Sequence, residues 1–274
     1  MSVALTWLGQ SGFVLDFAGV RLAVDPFLSD FPGRRVAAPA TPHALAGMAG
    51  VVVTHEHADH FDVPTLHALQ AVDPSLPIVL PEPLCAAARG AGLDQLIGAQ
   101  PGMELELGGV SVRPVSAQHG VHVDDAYDFG EALSEGLVRY LGYVIAGDTT
   151  TVFHAGDTLV YEGLGAALAE ADVDIALLPI NGRDAAREAR GLVGNMTHAE
   201  AAQLAAAAGV RYVIPTHFDM FDANSGPLGA FVEAVRETGA PIGVLCPAHG
   251  RRLAIEARAS DIRDTAMPDE EPLP

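Results

Sequence analysis

The stretch that most constrains this chain is Val51-Val52-Val53-Thr54-His55-Glu56-His57-Ala58-Asp59-His60-Phe61-Asp62. Three β-branched residues in a row predict a buried strand. The strand breaks into a polar loop that packs three histidines and an aspartate into six positions, and a helical pattern (Val63, Leu66, Leu69, with Pro64 in its first turn) follows at once. In near-extended backbone, His55 and His57 project to the same side and can share one metal ion. Asp59 and His60 arrive where the chain curls into the helix, so they point at a second position beside the first. Imidazole nitrogen and carboxylate oxygen suit zinc, manganese or iron. Helix capping alone does not call for four ligand-type side chains in so short a span.

Three strand-like runs at 2–8, 12–17 and 20–25 precede this loop, with turns at Gly9–Gly12 and Ala18-Gly19, and predict an antiparallel meander. Asp25 ends the third, either as an acceptor for a ligand histidine or as a cap on the turn at Pro26. After the loop, the spacing predicts a helix over 63–72, a strand over 77–80, a helix over 83–91, and strands over 103–107 and 110–115. His119 lies just past that last strand, well placed to complete His55 and His57. Residues 120–138 have no clear period and could form an excursion over the site; His122 there faces either the metals or solvent. Strands over 140–146 and 151–154 follow. The second runs into Ala155-Gly156-Asp157, where small residues allow close backbone approach and the two oxygens of Asp157 can bridge two cations. His154 reads as structural.

A helix over 160–170 leads to a buried strand at 173–179 and then to Asn181-Gly182-Arg183-Asp184-Ala185-Ala186-Arg187-Glu188-Ala189-Arg190. If this segment is helical, Arg183, Arg187 and Arg190 share a face. They either clamp a substrate anion, with Asn181 assisting, or form a solvated face paired with Asp184 and Glu188. Thr197 and Glu200 spell a capping box, and His198 in that first turn faces the site or water. A strand over 212–215 delivers His217. A helix over 227–238 and strands over 242–246 and 252–257 close a single domain spanning 1–258. Residues 259–274 read as an acidic, proline-containing flexible tail.

Strands and helices fall into two successive blocks that divide near residue 135. Each block supplies candidate ligands at strand ends. That pattern predicts an α/β fold of four layers, αββα, with two sheets face to face and a metal site at one edge. The net charge of −20 argues against nucleic acid or an anionic membrane as partner. All fifteen basic residues are arginine, so basic groups are scarce and the 183–190 cluster stands out. Cys85 and Cys246, the only cysteines, read as small core residues rather than a disulfide. With no signal-peptide pattern and no membrane-length apolar run, the expectation is a cytoplasmic protein; a homo-oligomer is compatible with it.

The order His55, His57, Asp59, His60, His119, Asp157, His217 resembles the metallo-β-lactamase superfamily, whose fold is the αββα sandwich. Within it the chain is most similar to the L-ascorbate-6-phosphate lactonase-like (UlaG-like) hydrolases, through Trp7-Leu8-Gly9-Gln10-Ser11-Gly12, Val24-Asp25-Pro26, Leu178 to Asp184, Gly194-Asn195-Met196-Thr197 and Ile214 to Asp219. Gln10 stands where many relatives carry histidine. The resemblance implies two divalent metal ions (Zn or Mn), one held by His55, His57 and His119, the other by Asp59, His60 and His217, with Asp157 bridging. It implies a metal-bridging hydroxide attacking a small anionic, even phosphorylated, lactone or ester, with Asp59 handling the proton. A phosphodiesterase of the same fold is the alternative, and a metal-binding protein without turnover is a further one.

Overall fold

A computed structural model describes residues 2–256. The expected tail at 259–274 lies outside the described residues. Fourteen strands are present among these residues: β1 Ser2–Gly9, β2 Gly12–Phe17, β3 Val20–Val24, β4 Gly50–Val52, β5 Ile78–Pro81, β6 Leu96–Ala99, β7 Leu105–Leu107, β8 Val110–Ser116, β9 Leu141–Ala146, β10 Thr151–His154, β11 Ile175–Pro179, β12 Tyr212–Thr216, β13 Gly243–Val244 and β14 Arg252–Glu256. Among the described residues, six α-helices accompany these strands: α1 Val63–Val72, α2 Cys85–Gly90, α3 Leu164–Glu170, α4 Ala185–Glu188, α5 His198–Ala208 and α6 Leu228–Glu237.

The strands form two seven-stranded sheets, ordered β14-β1-β2-β3-β4-β5-β6 and β13-β12-β11-β10-β9-β8-β7. Each sheet is half antiparallel and half parallel. In the first, β14, β1, β2 and β3 pair antiparallel and β3 to β6 pair parallel. In the second, β7 to β10 pair antiparallel and β10 to β13 pair parallel. A parallel neighbour needs a crossover, and α-helices supply it everywhere except between β3 and β4, where a long loop over 25–49 does.

Alternation of side chains sorts residues into layers. Val52 joins Leu5, Leu15, Tyr143, Ile145 and Leu177 in the core between the sheets. Its neighbours Val51 and Val53 turn the other way, onto Leu66 and Leu69 of α1 and Ala88 of α2. On the far side, Phe153, Ala176 and Leu178 pack against Leu164, Ala201, Ala205 and Phe231 from α3, α5 and α6. Three apolar interfaces make four layers, the expected αββα sandwich.

The division between the halves falls after β6, not near residue 135. The hairpin β7–β8 belongs to the second sheet, and β14 returns to the first beside β1. Strand β6 was not expected: Leu96-Ile97-Gly98-Ala99 is short and only partly buried, and it carries no alternation. Cys85 is buried, whereas Cys246 is exposed because β13 stops at Val244, before reaching it.

Topology also brings the candidate residues to one edge. The parallel strands β3 and β4 end at Asp25 and the histidine loop. In the other sheet β8, β10 and β12 share a direction, because each is separated from the next by parallel pairing or by two antiparallel pairings. Their ends deliver His119, Asp157 and His217 to that same edge, where α/β folds place their ligands.

Candidate metal centre

Seven side chains converge there in two groups, His55, His57, His119 and Asp157 in one, Asp59, His60 and His217 in the other; in each group the candidate ligand atoms lie within 4.8 Å of one another. In the first, His57 Nδ1 lies 3.0 Å from His55 Nε2 and 3.2 Å from His119 Nε2. Asp157 Oδ2 is 3.6 Å from His119 Nε2. The other oxygen, Oδ1, faces the second group, 2.8 Å from His217 Nε2 and 3.4 Å from His60 Nε2. Nitrogens around a tetrahedral cation at about 2.0–2.1 Å lie roughly 3.3 Å apart.

The buried atoms His60 Nε2, His217 Nε2 and Asp157 Oδ1 have no hydrogen-bond partner among the described residues, although they face one another. Buried polar atoms are nearly always paired. Three that are not, aimed at one point from imidazole and carboxylate donors, fit a divalent cation. His60 and His217 also stack at 5.3 Å between ring centroids.

A surrounding shell fixes which nitrogen each ring offers. Asp25 Oδ2 sits 2.6 Å from His60 Nδ1, so that nitrogen carries the proton and Nε2 is left for a metal. Asp25 also accepts from the Thr54 amide (2.8 Å) and hydroxyl (2.7 Å). Having donated to Asp25, Thr54 Oγ1 can accept from His55 Nδ1 at 3.0 Å, which frees His55 Nε2. Of the two roles open to Asp25, the structure gives it the acceptor role. Thr54 went unrecognised in the sequence, although it stands inside the motif. Gln10 bridges the second group, its Nε2 lying 2.7 Å from Asp59 Oδ2 and 3.1 Å from His217 Nδ1.

Electrostatics follow from burial. Burial, with neighbouring imidazoles adding, pushes His119 down to about 3 and His55 well below the usual imidazole range, so both keep free lone pairs. His60 goes up to about 10: burial opposes this, but Asp157, Asp25 and Asp59 outweigh it. Burial would also raise Asp157, yet His217 and His60 hold it well below the carboxylate range. Asp59 is lowered in the same way, with His60 and His217 again outweighing burial.

Backbone geometry serves the same end. His217 adopts φ +57, Gln10 φ +53 and Asp25 φ +44, a region that non-glycine residues rarely occupy. Gly156 has φ +58, and a Cβ there would lie 2.7 Å from Thr54 Cβ. Only glycine lets the exit of β10 press against the histidine loop and carry Asp157 in. His154, as expected, is structural. Its Nε2 donates to Ser11 O at 2.7 Å and its Nδ1 accepts from the Gly156 amide at 3.1 Å, which fixes one neutral tautomer. Burial lowers its pKa accordingly.

The arginines behave differently. Helix α4 is a single turn capped by Asp184, so Arg183 precedes it and no shared face exists. Arg183 makes a two-pronged pair with Glu200 at 2.7 and 2.9 Å. Arg187 pairs with Asp184 at 2.9 Å and donates to Asn181 O. Arg190 is exposed and donates to Ala186 O at 3.2 Å. Asn181 is buried and donates to Asn224 Oδ1 at 2.7 Å. His198 opens α5, half-buried. None of these five lines the cavity of about 430 Å³ that borders His57, Asp59 and Asp157. Within the 120–138 segment, Val121 lines that cavity while His122 is exposed. The segment is tied down by Tyr127, whose hydroxyl donates to Glu188 at 2.7 Å, and just past its end Arg139 pairs with Glu56 at 2.6 and 2.9 Å.

The beta-lactamase superfamily domain matches residues 20–218. The chain belongs to that superfamily. It is 30% identical over 253 residues to a UPF0173 metal-dependent hydrolase of Opitutus terrae, covering 89% of this chain and 96% of the relative. A second UPF0173 metal-dependent hydrolase, of Methanosphaerula palustris, is 30% identical over 235 residues, 85% of this chain and 92% of its own. Among solved structures, this superfamily member is similar to Igni18, a metallo hydrolase from Ignicoccus hospitalis (TM-score 0.73, 22% identity, 93% of this chain and 99% of that one). It is equally similar to an isothiocyanate hydrolase from Delia radicum gut bacteria (TM-score 0.73, 22% identity, 93% and 100%). At that identity the likeness concerns the fold, and the fold is the metallo-β-lactamase sandwich. The chain is thus a metal-dependent hydrolase of the superfamily. Among the described residues, no helix is long and apolar enough to cross a membrane.

Proposed function

We propose that this superfamily member is a binuclear hydrolase, loaded with Zn or Mn, that cleaves a small carboxylic ester or lactone. One observation carries the reading: Asp157 offers one oxygen to each of two ligand groups, and both groups border the same open cavity. His55, His57, His119 and Asp157 would hold one divalent cation and Asp59, His60 and His217 the other; such ions would lower the pKa of a water and stabilise charge on the carbonyl oxygen.

The protein's own residues do the rest. Asp59, an ionised carboxylate on the cavity wall, is held through Oδ2 by Gln10. It orients the attacking water and takes its proton. The water oxygen bonds to the carbonyl carbon, the ester C–O bond breaks, and the proton passes to the leaving oxygen. Asp25, Thr54 and Gln10 hold the rings and the carboxylate in place throughout.

The resemblance implied an anionic, even phosphorylated, substrate, and the 183–190 arginines were the candidate clamp for it. Arg183 and Arg187 pair with Glu200 and Asp184, and Arg190 bonds a backbone carbonyl, so the reading keeps the ester or lactone without the anion. A panel of lactones and carboxylic esters against bis-p-nitrophenyl phosphate, with Zn-loaded and Mn-loaded protein, tests this. Turnover of the carbonyl substrates is expected. A preference for the diester would make the chain a phosphodiesterase, and no turnover by the loaded protein would leave only a metal binder.

A further inference from the structure

Beside the metal centre lies a wall that no catalytic step uses. Phe31, Val121, Leu192, Val193 and Phe221 line the cavity above His57, Asp59 and Asp157. They come from four separate segments: the loop after β3, the segment after β8, the loop after α4 and the loop after β12. At about 430 Å³ the cavity is at the small end of ligand sites.

We propose that the substrate carries an uncharged apolar acyl or aryl group that packs on this wall while its carbonyl faces Asp59 and Asp157. The inference rests on the hydrolase reading and adds the substrate class.

Charge supports it first. No arginine lines the cavity, and the basic residues nearby in sequence are committed. Arg34 donates to Phe27 O (3.0 Å), Ser29 O (3.1 Å) and Val36 O (2.7 Å) and lies 4.6 Å over the Phe27 ring. Arg35 pairs with Asp222 at 2.6 Å. Outside the ligand residues, the one polar side chain on the wall is Asn224, whose Oδ1 accepts from Asn181, leaving its neutral Nδ2 amide as the one side-chain donor there. An anionic group placed here loses its hydration and meets no cationic side chain to offset that loss.

The aromatic geometry supports it second. Phe27 is fully buried and serves as an anchor. Phe31 meets it edge to face at 5.7 Å, and Phe31 meets Phe221 edge to face at 5.9 Å. Yet Phe31 remains 41% exposed, one of only six large apolar side chains so uncovered among the described residues. A ring held in place but open to solvent beside a reactive centre is a surface ready for an apolar group. Two other cavities, of about 300 Å³ around Phe17, Val110 and Gly147 and of about 490 Å³ around Val235, Ile242 and Val244, have no histidine.

The test compares p-nitrophenyl acetate, the uncharged hexanoate and the anionic hemiadipate, with wild type, Phe31→Ala, Phe221→Leu and Leu192→Arg, all Zn-loaded. Wild type should prefer hexanoate to hemiadipate by about tenfold or more in kcat/KM. Phe31→Ala and Phe221→Leu should lower the hexanoate-to-acetate ratio, by about tenfold for the alanine variant. Leu192→Arg should swing preference toward hemiadipate. A wild type that prefers hemiadipate, or variants that scale all esters alike, overturns the proposal. Calorimetric binding of hexanamide and acetamide separates the two readings. Loaded protein that turns over nothing overturns the hydrolase reading; hexanamide binding about tenfold tighter than acetamide then still supports the apolar wall, and equal binding overturns it.

Discussion

Asp25 touches no substrate, yet its contact with His60 and its two bonds to Thr54 decide which nitrogen two histidines present. An outer-shell acceptor of this kind is worth about 10- to 100-fold in metal affinity. Asp25→Asn, which keeps the shape and removes the charge, should weaken zinc binding by that factor in competition with a chromophoric chelator; unchanged affinity would show that the shell does not set the tautomer. All seven clustered side chains were readable in the sequence, because each follows an apolar strand and is of ligand type. Thr54 was not, since a hydroxyl's partners depend on neighbours distant in the chain. The arginines had two open readings, a clamp or a face paired with acids, and the Arg187–Asp184 pair belongs to the second. The shared face that both assumed required a helix of two turns, and Asp184 caps one of a single turn. In a chain with 35 acidic residues, an arginine readily finds a carboxylate.

At the scale of elements, the site depends on how strand exits abut. Gly156→Ala places a Cβ against Thr54 and strains a left-handed φ, at a cost of about 1–3 kcal/mol. It should lower the melting temperature and reduce zinc content together; a variant that loses stability but keeps full zinc would contradict the placement of Asp157 through this approach. Helix α5 offers a pH test. Its capping box is joined by Arg183, and that pairing with the guanidinium and the Thr197 amide holds the Glu200 carboxyl down at about 2, against an ordinary 4.5. The unfolded chain therefore binds that proton more readily. The stabilisation is complete above pH 4.5 and is lost as pH falls toward 2. Glu200→Gln should flatten the melting-temperature profile across that window, and an identical slope in both proteins would refute the linkage. The sequence yielded this capping box directly, since it is local. It did not yield β6 or the return of β14 to the first sheet, which are matters of pairing between distant segments rather than of local pattern.

At the scale of the whole molecule, the chain carries a net charge of −20. Such a field repels anions at long range and is screened by salt. For an uncharged ester, kcat/KM should be flat between low and high ionic strength; for the anionic hemiadipate it should rise with salt, and a fall would mean that a basic surface steers it in. The four-layer sandwich was legible from alternating strands and helices, because burial on both faces leaves runs such as Val51-Val52-Val53. The two candidate groups meet at Asp157, one carboxylate with an oxygen facing each. Metal content after zinc reconstitution and gel filtration tests that claim most directly. Wild type should carry about two ions per chain, and Asp157→Asn clearly fewer; a wild type that saturates at one ion, or an Asp157→Asn protein that retains two, would contradict a centre built on a shared carboxylate.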